Sequence, residues 1–220
     1  MVVTHDKIEV VAPLKVATSK IHAFVTLQQD WVVAATEKIE QKRLNVIRFA
    51  PENYSDGVVV PFQGKKFKIQ LKTSLLNTVQ IDFNEEEFNV LLPAEKIAED
   101  NSELIRLALT NWMKKQALKD VQSFVELHVE KYNLYPRNIK IKTQKSRWGS
   151  CGIHNDININ WLLVLAPLEV MEYVVVHELC HIKERNHSTK FWQLVEAHLP
   201  DYKEHRQWLK HNGSCLMQGL

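Results

Sequence analysis

"VVVHELCHIKERNHSTKFW", residues 174–192, carries three histidines, two glutamates and a cysteine between positions 177 and 187, directly behind three valines. The apolar run predicts a buried helix. Pro167 suits its first position, and Glu169 and Glu172 suit its positive end. His177 and His181 are four residues apart, so they lie one turn apart on the same face and aim at a common point. Two neutral imidazoles at that separation can both reach one zinc ion at ~2.0–2.1 Å. Glu178 points about 100° further around the helix, beside such an ion and not on it. A general base stands there to take a proton from metal-activated water. An unpaired His-Glu-His set would be costly inside an apolar helix, so the spacing predicts a catalytic metal.

A catalytic zinc takes a third protein ligand and keeps one position open. His187 lies six residues after His181, the same histidine spacing as the metzincin pattern, but Glu184 occupies the place of the metzincin glycine. Asn186 tolerates left-handed backbone angles and offers another way to turn the chain back. The competing ligands are Glu196 and Glu204 from the following segments, and His198 and His205. His187 is favoured because it needs only one short turn. Cys180 faces away from the histidines and reads as packing.

Outward from this stretch, the 220 residues are 45% hydrophobic, enough to fill a core. The 28 Lys+Arg nearly balance 26 Asp+Glu, so composition gives no reason to expect nucleic acid or a membrane surface. Three cysteines without a CxxC pairing fit a reducing compartment, and no apolar run approaches the ~20 residues of a membrane helix, so the cytoplasm is the expected location. Residues 6–17 read as a strand or bent pair of strands, and a single amphipathic helix is expected from about Ser19, with Ile21, Phe24, Val25, Leu27, Trp31 and Val32 at helical spacing. Hairpins are expected around Gln63-Gly64 and around Asn84 to Glu87. Residues 93–135 read as a long helical stretch of one or two helices. Short strands at "NIKIKTQ" and "DININW" flank the turn-rich "KSRWGSCGIHN". Two further helices are expected from about Ser188 to Ala197 and after Pro200. The fold class is α+β: a strand-rich subdomain over 1–95 with one long helix, then a mainly helical domain over 96–220 with a small sheet.

"TQKSRWGSC" (143–151), "ININWLLVLAP" (157–167), "YVVVHELCHIKERNHSTKFW" (173–192) and "PDYKEHRQWL" (200–209) together resemble the YgjP-like zinc metallopeptidases, relatives of the SprT-like and other HExxH proteases. The likeness covers most of residues 95–215 and, more weakly, the first part. It implies a zincin-type domain that binds Zn2+ through His177, His181 and His187, with Glu178 as base and a protein or peptide as substrate.

Around the site, "SRWGSC" is expected over the metal. The strand Asp156 to Asn160 is taken as the edge on which an extended substrate pairs, so Arg147, Trp148, Ile157 and Asn158 are candidate substrate contacts. Transition-state donors by residue type are Arg147, His154, Tyr173 and Tyr202. Arg147 has the loose loop setting a substrate contact needs, whereas Tyr173 reads as packing. Glu184 is a candidate to orient a ligand imidazole. The leading function is a zinc peptidase. Hydrolysis of another amide, a metal-stabilised binding module, and proteolysis tied to nucleic acid through pieces such as "KIKTQKSR" stand as alternatives. Structural zinc relies heavily on cysteine, which favours catalysis.

Overall fold

Gln63 and Gly64 both have left-handed backbone angles, with φ of 47° and 75°, the signature of a type I′ hairpin turn. They join β3 (Val59–Phe62) to β4 (Lys65–Ser74), as the sequence predicts. The computed structural model describes residues 1–3, 7–44, 49–96 and 100–220, and the beginning of the strand expected at Asp6 lies outside them. The chain divides into two units, Met1–Ile47 and Arg48–Leu220. The expected boundary after residue 95 therefore falls inside the second unit.

In the first unit β1 (Val2–Val3) pairs antiparallel with β2 (Ile8–Glu9). The expected long helix is two: α1 (Thr18–Leu27) and α2 (Gln29–Leu44), separated at Gln28, whose φ of −99° and ψ of 13° leave helical geometry. Thr26 Oγ1 donates to the His22 carbonyl at 3.0 Å, a back-bond that bends helices.

The second unit is α+β. Its larger sheet has the order β3-β4-β6-β5, with β5 (Gln80–Phe83) and β6 (Glu87–Pro93) forming the second expected hairpin and β6 running parallel to β4. Phe62 and Phe88 of this sheet pack edge-on against Trp112, each at 5.3 Å between ring centroids. Trp112 belongs to α3 (Ser102–Tyr132), one unbroken helix within the stretch read as one or two. Its buried stripe runs Ile105, Leu109, Met113, Ala117, Val121 and Val125, every fourth residue. Asn133 ends it in the left-handed conformation, φ 57°.

The smaller sheet has the order β7-β9-β8, from β7 (Asn138–Lys142), β8 (Gly149–Cys151) and β9 (Asp156–Asn160). β8 lies inside the segment read as turn. Asn160, fully buried, ties this region together: its Nδ2 donates to the Gln144 and Arg147 carbonyls, and its Oδ1 accepts from Leu162 N to start a buried 3₁₀ turn, Trp161–Leu165.

That turn feeds α4 (Leu168–Cys180), nine of whose residues are buried. The hairpin tip holds it: Gln63 N and Gly64 N donate to the Val164 and Leu165 carbonyls at 2.7 and 3.2 Å. A Cβ at Gly64 would meet Pro167, which caps α4, at about 3.0 Å, so the tip can seat there only as glycine. α5 (Thr189–His198) and α6 (Tyr202–Leu216) complete the unit, α6 extending beyond the short helix expected. No helix among the described residues is long and apolar enough to cross a membrane.

A buried relay joins α3, α4 and α5. His128 Nε2 lies 2.8 Å from Glu172 Oε1, and His128 Nδ1 lies 3.1 Å from His198 Nδ1. With His128 donating to the carboxylate, its Nδ1 accepts from His198, and His198 Nε2 is left buried without a partner. Burial, and then the nearby charges of His128 and Lys131, push the His198 pKa down to about 4. The unfolded chain therefore takes up a proton near pH 6.5 that the folded chain refuses until about 4, and stability falls as pH drops through that window. Urea unfolding at stepped pH should show this loss, at most about 3 kcal/mol from this group. His198→Asn should flatten that part of the slope.

Candidate metal centre

α4 carries His177 and Glu178, and His181 follows at its C-cap still in the right-handed helical region, φ −66°. The expected one-turn stacking results: the His177 and His181 ring centroids are 4.9 Å apart. The chain then reverses through residues 182–188. Neither Glu184 nor Asn186 has a positive φ, so no left-handed residue makes the turn. Arg185 holds the loop instead, its guanidinium donating to the Gly152 carbonyl at 2.8 Å and to Asn155 Oδ1 in the β8–β9 turn. Ser188 then caps α5 by accepting from Phe191 N at 3.3 Å.

This return path brings His187 back. Its ring lies 4.9 Å from that of His177 and 4.8 Å from that of His181, and the His187 and His177 Nε2 atoms are 3.0 Å apart. One nitrogen from each imidazole falls within 4.8 Å of the others, the arrangement a single ion needs. The nitrogens present fit a metal. His181 Nδ1 donates to the Glu184 main-chain carbonyl at 3.0 Å, which fixes the tautomer and leaves the Nε2 lone pair outward. Glu184, a candidate for orienting a ligand imidazole, does so through its backbone carbonyl and not its side chain. Burial pushes the His177 pKa down to about 3 and also lowers that of His181, so both are neutral and ready to donate a lone pair. Phe191 floors the triad, stacked on His181 at 4.6 Å and edge-on to His187 at 4.8 Å. Trp192 stacks on His187 at 5.6 Å.

Glu178 is 6% exposed, and burial pushes its pKa up to about 8. Its carboxyl packs against Gly149, in the SRWGSC segment expected over the metal. A Cβ on Gly149 would fall 2.6 Å from Glu178 Oε1 and 2.7 Å from Cγ, so the carboxylate occupies the space of the missing side chain. No spacing rule reveals that contact, since it joins β8 to α4 across the fold.

Glu178, His177, Gly149 and Trp148 line one cleft of about 880 Å³. The other sequence candidates fall elsewhere. β9 is paired on both sides, so it is not an edge: Ile157 is fully buried, Asn158 binds Ser150 across the sheet, and the edge strands are β7 and β8, of which β8 lies against α4 at Gly149. Arg147 and His154 are exposed and do not line the cleft. Tyr202 is buried between Trp192 and Tyr173, whereas Tyr173, read as packing, does line the cleft. Among the alternative ligands, Glu196 pairs with Lys203, His205 faces Asp201, His198 belongs to the relay, and Glu204 is exposed outside the triad.

Converging imidazoles beside a buried carboxylate, on an α+β frame, define a metallohydrolase class of site. The chain matches the model of the YgjP-like metallopeptidase domain over residues 1–212 and belongs to that family. It is a metallopeptidase by family, and its cofactor is by that token a divalent metal. No curated protein matches it. Among solved structures it is similar to the metallopeptidase zymogen of Pyrococcus abyssi abylysin, at 22% identity over 41% of this chain and 93% of that one, with a TM-score of 0.38.

His187→Ala should weaken divalent-metal binding, probed with zinc, by about 100-fold or more. His205→Asn and His198→Asn should leave it unchanged, as read by competition with a chromophoric chelator.

Proposed function

We propose that the protein is a zinc-dependent peptidase in which His177, His181 and His187 hold the ion and Glu178 is the general base. The observation that carries this reading is the buried Glu178 carboxylate, fitted against Gly149 in the cleft that His177 also lines. Held by the three imidazoles, a zinc ion would supply Lewis acidity toward a water and a substrate carbonyl. Three imidazoles with no cysteine among them suit such an open catalytic site better than a closed structural one.

The chain's own residues do the rest. Glu178 takes the proton of the attacking water and returns it to the leaving amine. Its burial raises its proton affinity, which suits a carboxyl that must hold a proton between the water and the amine. The free edge of β8 offers backbone groups to an extended peptide, which would set the scissile bond beside Gly149 and thus beside Glu178. Tyr173, in the cleft wall with its ring 5.9 Å from that of His177, is the phenol placed to donate to a developing oxyanion. Three free cysteines support the cytoplasm as its location.

Glu178→Gln should keep bound zinc and lose about 10³-fold or more in peptide cleavage. Equal cleavage by parent and variant would remove Glu178 as the base. Gly149→Ala should keep both zinc and fold yet lower kcat by about 100-fold, because its methyl displaces the carboxylate by the ångström that such chemistry does not tolerate. Unchanged kcat in that variant would show that the contact does not position Glu178.

A further inference from the structure

One wall of the cleft is a face of α6. Lys203, Arg206, Gln207, Lys210 and His211 line it, at the three- and four-residue intervals that place side chains on a single helical face. Lys203 is held by Glu196 at 3.1 Å. Arg206 and Lys210 have no carboxylate partner among the described residues, and the one carboxylate that lines the cleft is the buried Glu178.

Arg206 is exposed but not loosely placed. Its guanidinium carbon lies 4.6 Å from the centroid of the Trp192 ring, and Trp192 in turn stacks on His187 and Tyr202. A planar fork of donors is thus fixed one aromatic ring away from the third imidazole, with its hydrogen-bonding edge uncommitted. Such a fork matches a carboxylate. Lys210, one turn further along α6, adds a second charge on the same side.

We propose that this face of α6 recognises a carboxylate of the substrate, so that the peptides taken up carry an acidic side chain or a free C-terminal carboxylate beside the bond to be cut. The inference rests on the peptidase reading and names its substrate class. Peptide suits the cleft better than nucleic acid does. The cations are confined to about two turns of one helix and face an apolar wall that includes Trp148 and Val174, whereas a phosphate backbone calls for an extended basic track.

The test uses the Glu178→Gln protein, loaded with zinc, so that peptides bind without being cut. Fluorescein-labelled decapeptides of one sequence are compared by anisotropy: a central Asp-Asp with an amidated end, Asn-Asn with an amidated end, and Asn-Asn with a free carboxylate. One or both carboxylate-bearing peptides should bind about three- to tenfold more tightly than the neutral one, and less so at high salt. Whichever does identifies the source of the recognised group. Arg206→Glu with Lys210→Glu, both at exposed positions, should abolish the difference while thermal melting stays unchanged. Equal affinity for all three peptides, no binding of any, or a preference that survives the double reversal overturns the proposal. So does tighter binding of a labelled oligothymidylate than of the acidic peptides. Cleavage by the parent protein is scored separately. Acidic preference in binding without cleavage sinks the peptidase reading alone, and cleavage without preference sinks the carboxylate wall alone.

Discussion

A carboxylate buried in a protein needs a space shaped for it, and here that space is the absent side chain of Gly149. Much of the unit converges on this one approach. β8 can come so near α4 only because it has no Cβ at that point. Asn160 then fixes the loop that leads into β8, and the Gln63-Gly64 tip fixes the turn that leads into α4. Both partners of the contact are thereby held from behind. A carboxylate on a mobile strand or a slack helix would find water; here it stays 6% exposed and keeps its high proton affinity.

Local rules made much of the fold legible. The two hairpins followed from their turn residues, α4 from its apolar run behind Pro167, and α5 from Ser188 at its start. The His177–His181 pairing followed from helical period alone. What could not be read were features that depend on partners distant in sequence. β8 is three residues long, too short for a periodic signal, and it is a strand only because β9 pairs with it. Missing it moved the expected edge one strand too far, and Ile157 and Asn158 with it. The break at Gln28 was illegible for another reason, because residues on both sides have good helical spacing and no glycine or proline marks it.

The return of His187 shows how a motif rule can be evaded. The glycine of the metzincin pattern lets a helix end abruptly in a left-handed residue. In this chain the helix ends in ordinary right-handed turns, with Glu184 N donating to the Cys180 carbonyl, and Arg185 ties the reversing loop to the β8–β9 turn. A long-range cation thus stands in for a local conformational freedom. The same loop supplies the Glu184 carbonyl that orients His181, so a glutamate in the glycine position costs nothing in backbone strain and contributes a backbone acceptor.

Two clusters of the same residue types also show what separates a metal centre from a structural relay. His128, His198 and Glu172 are as closely packed as the triad, but their polar atoms point at one another in a line, so each central lone pair is already answered. In the triad the nitrogens converge on a point instead of forming a chain, and Phe191 and Trp192 pack against the rings from the side. A proton on one of the His177 and His187 Nε2 atoms, 3.0 Å apart, can join only those two, and it leaves the outward His181 Nε2 lone pair aside and His177 Nδ1 buried without a partner. The arrangement is therefore poorly satisfied by protein alone, and a cation at its centre would answer all three lone pairs at once. That difference in direction, invisible in composition, is the physical ground for reading one histidine cluster as a centre for chemistry and the other as a clasp between helices.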